Sequence, residues 1–109
     1  MKTQFVQVTE IGELEALFAR SFDAPVIIFK HSVTCPISSA AYEQMTRLGA
    51  EVALIVVQKA RDISQEIAKR TGIRHESPQA IVLRNGASVW NASHFAITSE
   101  AVSRAISEN

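Results

Sequence analysis

The stretch Val26-Ile27-Ile28-Phe29-Lys30-His31-Ser32-Val33-Thr34-Cys35-Pro36-Ile37-Ser38 carries more information than any other in this chain. Val26 to Phe29 is a short apolar run rich in β-branched residues, the pattern of a buried strand. His31 to Thr34 form a short loop. Beyond Pro36 come Ala40, Ala41, Tyr42, Glu43, Gln44 and Met45, mostly good helix formers. Cys35, the single cysteine of the sequence, therefore falls at the N-terminal end of a helix that follows a strand. A helix N-terminus offers free N–H groups and the positive end of the macrodipole. Both favour a thiolate over a thiol and make the sulfur a nucleophile near neutral pH. Pro36 suits the first helical turn, where a missing N–H costs nothing. Ser38 is placed to turn its hydroxyl back toward the sulfur, and Thr34 and the backbone N–H groups of Ile37 and Ser38 are further candidate donors.

Working outward, the flanks alternate between strand and helix patterns. Phe5 to Val8 is a short strand candidate. Thr9 is positioned to cap a helix whose apolar face is Ile11, Leu14, Leu17 and Phe18. Asp23-Ala24-Pro25 breaks the chain before the strand Val26 to Phe29. The cysteine helix is expected from about Cys35 to Leu48, with Gly49 as its stop. Val52 to Val57 is continuously apolar, as in a strand covered on both faces. Arg61 to Arg70 reads as a helix with Ile63, Ile67 and Ala68 inward and Gly72 closing it. Gln79 to Leu83 is a strand, Asn85-Gly86 a tight hairpin signal, and Ala87 to Trp90 the returning strand. Ile97, Ala101, Val102, Ala105 and Ile106 mark a last amphipathic helix, capped by Thr98 or Ser99. The order is βαβαβαββα. Helical crossovers imply parallel pairing, and the final hairpin adds an antiparallel strand. An α/β architecture follows, a central mixed β-sheet flanked by helices, in the order of the thioredoxin-like fold and as one domain over residues 1–109.

Composition narrows the function classes. A chain of 109 residues, 47% hydrophobic, has material for one real core. Eleven basic residues balance eleven acidic ones, so there is no electrostatic footprint for nucleic acid or an anionic membrane. No apolar run approaches the roughly 20 residues needed to span a bilayer. Met1-Lys2-Thr3-Gln4 lacks the apolar core and cleavage site of a signal peptide. With one cysteine there is no disulfide framework, and a reducing cytoplasm is the expected location.

Ser77-Pro78 is the second informative element. In the thioredoxin fold a cis-proline starts the strand before the hairpin and packs beside the cysteine. It leaves the preceding backbone free to pair with an extended substrate chain. Pro78 is the proline at that topological position and is expected to be cis. The alternative is an ordinary trans-proline opening an edge strand.

Phe29-Lys30-His31-Ser32-Val33-Thr34-Cys35-Pro36-Ile37-Ser38, with His75-Glu76-Ser77-Pro78-Gln79 and Val89-Trp90-Asn91-Ala92-Ser93-His94, resembles the monothiol bacilliredoxin family over essentially the whole chain. Val33 is a departure, where a small polar residue is more usual. The resemblance implies a cytosolic, thioredoxin-like thiol-disulfide oxidoreductase that removes a low-molecular-weight thiol, bacillithiol, from protein mixed disulfides. Cys35 would be the attacking residue and Pro78 the cis-proline. The partners would be proteins carrying S-thiolated cysteines, the small thiol as co-substrate and a separate disulfide reductase. No metal or organic cofactor is required.

Each of these residues also has a plainer reading. A lone cysteine is commonly buried and inert, although Thr-Cys-Pro at a strand–helix junction is not core-like. Ser38 reads equally as a solvent-facing helix residue. Lys30 is either solvated or a handle for a carboxylate of the small thiol. His75 and Glu76 either shape a groove beside Ser77 and Pro78 or are plain loop residues. His31 either supports the thiolate when protonated or simply ends a strand, and Trp90 packs against the sheet. The three histidines are scattered, which argues against a Cys–His metal site. Two rival functions share the one-cysteine layout. The first is an iron–sulfur carrier like the monothiol glutaredoxins, whose paired glycine is missing from Asn91-Ala92-Ser93-His94. The second is a binding module that kept the fold and lost the chemistry. A peroxidase fits poorly, with a short chain and Ser32 where its threonine would stand.

Overall fold

The apolar runs form the inner strands of a five-stranded sheet. In the computed structural model, which describes residues 2–109, the strands are β1 (Gln4–Gln7), β2 (Val26–His31), β3 (Glu51–Val56), β4 (Gln79–Arg84) and β5 (Ala87–Ser93). The helices are α1 (Ile11–Arg20), α2 (Pro36–Met45), α3 (Arg61–Thr71) and α4 (Ser99–Glu108). The strand order is β1-β3-β2-β4-β5. β1 and β2 each pair with β3 in parallel, while β2–β4 and β4–β5 are antiparallel. The sheet is mixed and flanked by helices, as the thioredoxin fold requires.

Both faces of the sheet are covered. Val26, Ile28, Ile55, Ile81 and Leu83 pack with Leu14 and Leu17 of α1 and Ile63 and Ile67 of α3. On the opposite face Ile27, Phe29, Val52 and Ala80 pack with Ala41 and Met45 of α2, Val102 of α4 and Ile97, and Trp90 is half-buried against them. Burying a large apolar side chain stabilises the fold by about 1.5–3 kcal/mol, so the inner strands anchor every helix. α2 thereby begins over the end of β2, and this arrangement places Cys35.

Several boundaries differ from the sequence expectation. α2 ends at Met45, with Thr46 as its cap and Thr46 N–H donating to the Tyr42 carbonyl. Leu48 continues the apolar spacing but lies past the last turn, and Gly49 (φ +69°) serves the bend into β3 rather than capping the helix. Thr9 does not cap α1. The cap is Glu10, and the Glu13 carboxylate accepts the backbone N–H groups of both Glu10 and Thr9, at 3.1 and 3.0 Å. Thr98 rather than Ser99 caps α4, accepting the Ala101 N–H at 3.1 Å. β5 runs to Ser93, beyond Trp90, and a short 3₁₀ turn, His94–Ala96, follows it. Asn85 (φ +56°) and Gly86 (φ +77°) both adopt left-handed backbone, the geometry of a two-residue hairpin turn whose twist matches the strands.

Candidate active site

Cys35 is the N-cap of α2, with extended backbone (φ −102°, ψ 122°), and Pro36 is in the first turn. The sulfur-bearing residue is partly exposed, so it is neither core-packed nor fully solvated. The sulfur completes no capping hydrogen bond of standard geometry. The N–H of Ser38 nevertheless holds its pKa below the ordinary thiol value. Partial burial opposes that effect, while the Ile37 N–H and the Ser38 hydroxyl assist it. The two N–H groups belong to the first helical turn, where backbone donors lack partners inside the helix and favour a nearby thiolate.

Ser38 is fully buried rather than solvent-facing. Its hydroxyl oxygen accepts the Ser32 N–H at 3.2 Å. A hydroxyl has one proton to give, and that bond leaves it for the sulfur. Thr34 departs from expectation. Its hydroxyl lies 3.4 Å from Ser32 Oγ and accepts from Gln58 Nε2 at 3.3 Å, so it is engaged in the loop rather than at the thiolate. Gln58 had no signal in the sequence, yet it organises this loop. It donates to Ser32 Oγ at 2.7 Å and accepts the Val33 N–H at 3.3 Å. The Val57 N–H donates to the His31 carbonyl at 3.0 Å, so the end of β3 holds the end of β2.

The Ser77–Pro78 bond is cis, as expected. In the antiparallel register Lys30 faces Gln79, so Pro78 opens β4 at the end of the sheet where the loop to Cys35 leaves β2. Pro78 is buried, and Glu76 and Ser77 are half-buried beside it. The Ser77 hydroxyl is buried without a hydrogen-bond partner.

Lys30 departs from the expectation of a solvated or substrate-facing side chain. It is fully buried, and it projects from β2 on the same side as Val26 and Ile28, toward α3 and away from α2. Its Nζ lies 3.1 Å from His75 Nδ1 and 3.4 Å from the Ser64 carbonyl, which accepts from it. Burial pushes the ammonium pKa down to about 8. Lys30 is therefore not a surface handle for a substrate carboxylate. Strand alternation puts the side chain inside, and the side-chain stem continues the core. His31 is also not a cationic support for the thiolate. It packs at a tilt against Tyr42 and Phe29, at ring distances of 5.2 and 5.7 Å, and burial lowers its pKa. Among the described residues no group of three or more His, Cys, Asp or Glu side chains converges as a metal site.

A mixed sheet with a partly exposed, acidified cysteine at the N-cap of the helix after a central strand, and a cis-proline at the same end of the sheet, defines a thioredoxin-fold thiol oxidoreductase. The solved structures agree on the fold. A candidate oxidoreductase with a thioredoxin fold superposes with a TM-score of 0.85 at 35% identity, over 93% of this chain and 92% of that one. Thioredoxin NaTrxh of Nicotiana alata matches at TM-score 0.76 and 12% identity, over 99% and 94% of the two chains. Mitochondrial thioredoxin 3 of Saccharomyces cerevisiae, in its oxidized form, matches at 0.73 and 14%, over 96% and 95%. The family model of the monothiol bacilliredoxin BrxC matches residues 6–102, and the chain belongs to that family.

Proposed function

We propose that this protein removes a low-molecular-weight thiol, bacillithiol by family, from protein mixed disulfides through Cys35. The observation that carries the reading is one partly exposed cysteine, acidified by the first turn of α2, in a sequence with no second cysteine. The Cys35 thiolate attacks the small-thiol sulfur of a protein–S–S–R disulfide. The S–S bond breaks, its electron pair leaves with the protein sulfur as a thiolate, and a Cys35–S–S–R bond forms. The protein cysteine is thereby reduced, and Cys35 carries the cap. A second small-thiol thiolate then attacks the small-thiol sulfur of that Cys35–S–S–R disulfide, which forms R–S–S–R and releases Cys35 as the thiolate. A separate reductase of low-molecular-weight disulfides would return R–S–S–R to thiol. The S-thiolated clients, the small thiol and the cytoplasm as the place of reaction are part of the same proposal. Glu76, Ser77 and Pro78 line the side of the site from which an extended client segment would approach.

The test is transfer followed by intact mass spectrometry. A client protein carrying bacillithiol on one cysteine is mixed with the reduced protein. The client should lose the cap, and the chain should gain the same mass on Cys35. Cys35→Ser should neither acquire the adduct nor free the client. A wild-type protein that leaves the client capped and stays unmodified sinks the reading.

A further inference from the structure

Behind the cysteine loop lies a cavity of about 220 Å³, lined by Val57, Gln58, Arg61, Ser64, Gln65 and His75. Its wall is shared with the active site, because Gln58 also holds Ser32, Val33 and Thr34. Its chemistry is one-sided. The first turn of α3 contributes Arg61 to the wall, and Asp62 of the same turn is not part of it. Arg61 makes no ion pair among the described residues, and no acidic side chain is among the lining groups. Ser64, 3% exposed, has a buried hydroxyl with no hydrogen-bond partner, although buried polar groups are normally satisfied.

The buried Lys30 completes the pattern from below. An ammonium group only donates, so its 3.1 Å contact requires an unprotonated Nδ1 on His75. The ring proton then sits on Nε2, and a neutral His75 presents a donor. Lys30 has no carboxylate partner among the described residues, so its charge stands uncompensated behind the cavity wall.

We propose that this cavity is an anion subsite that takes a carboxylate of the small thiol exchanged at Cys35, held by Arg61, the Ser64 hydroxyl and the His75 imidazole N–H. A carboxylate supplies the acceptors that all three donors need. Lys30 acts here as a buried charge that fixes the His75 tautomer, without touching the ligand. The ligand assignment rests on the exchange reaction proposed above, whereas binding in the cavity can be tested without the sulfur.

The experiment titrates isotope-labelled Cys35→Ser protein with succinate, and in parallel with uncharged succinamide, followed by amide NMR. Succinate should give saturable shifts at Arg61 to Gln65 and at His75. Arg61→Glu should abolish them, and Ser64→Ala should weaken them. Absent shifts, or equal shifts with succinamide, overturn the subsite. In the wild type, the labelling rates of Cys35 by 2-carboxyethyl and 2-aminoethyl methanethiosulfonate give a ratio. Arg61→Glu should lower that ratio about tenfold, as loss of one hydrogen bond to a charged group does. An unchanged ratio overturns the link between cavity and sulfur. If neither reagent labels Cys35, the exchange reaction itself fails, and the assignment of the ligand as a thiol falls with it, even if succinate still binds.

Discussion

Cys35 and Ser38 act as one unit. The Ser38 N–H is the largest contributor to the lowered thiol pKa, and its hydroxyl adds to it. Alkylation by iodoacetamide followed against pH should therefore give an apparent pKa below the free-cysteine value of about 8.5. Ser38→Ala keeps the N–H but deletes the hydroxyl, and also leaves the Ser32 N–H without its acceptor. The apparent pKa should move upward, and exchange at neutral pH should slow a few-fold. An unchanged profile in Ser38→Ala would mean that the backbone alone sets the acidity. Lys30 gives a second residue-level prediction, with the sign fixed by linkage. Its pKa is about 8 folded against 10.5 as the unperturbed value. Between those values the unfolded chain holds more protons, so stability contributed by this group rises with pH. Relative to Lys30→Met, the wild type should gain roughly 1 kcal/mol per pH unit across that window. Urea denaturation at several pH values measures the difference, and a flat difference would place the ammonium in water.

At the scale of elements, the β4–β5 hairpin is tied to the end of α1 through one serine. Ser21 accepts the Gly86 N–H on its hydroxyl at 2.9 Å, and its carbonyl accepts from the Asn85 N–H at 2.8 Å and from Arg84 Nη1 at 2.8 Å. The turn itself needs a left-handed Gly86, φ +77°. A Cβ there would also sit 2.9 Å from the Phe22 ring tip, but Phe22 is exposed and can swing aside. The backbone cost dominates, and Gly86→Ala should destabilise by about 1–2 kcal/mol. Chemical denaturation should show this with the Cys35 alkylation profile unchanged, and a neutral substitution would mean the turn relaxes. Asn85-Gly86 was readable in the sequence because turn chemistry is local. So was the strand–Cys35–helix junction, where the periodicity changes within a few residues. The end of α2 was not, because Leu48 keeps the apolar spacing after the helix has turned at Thr46. Lys30 and Gln58 were illegible for a different reason. Their partners arrive from distant sequence: Ser64 and His75 lie 34 and 45 residues from Lys30, and Ser32 lies 26 from Gln58. In a strand buried on both faces, a single polar residue announces neither its depth nor its partner.

For the whole molecule, the sheet divides the interior into two cores with different consequences for the site. The face holding Phe29, Ala41 and Met45 supports α2, and with it the donors aimed at Cys35. The face holding Leu14, Ile63 and Ile67 supports α1 and α3. Phe29 and Leu14 are both fully buried, so truncation of either to alanine should be expensive. The expected losses are about 3–5 kcal/mol for Phe29→Ala and about 2–5 kcal/mol for Leu14→Ala. These are large fractions of the about 5–15 kcal/mol by which such domains are stable. Their effects on chemistry should differ. A cavity at Phe29 lets the start of α2 settle toward the sheet, and donor alignment at the sulfur is sensitive to small displacements. Phe29→Ala should therefore raise the apparent pKa of Cys35 as well as lower the denaturation midpoint. Leu14→Ala should lower the midpoint while leaving the thiol profile as in the wild type, measured at a temperature where each variant is folded. Equal pKa changes in the two variants would show that the acidity of Cys35 tracks global stability rather than the seating of one helix.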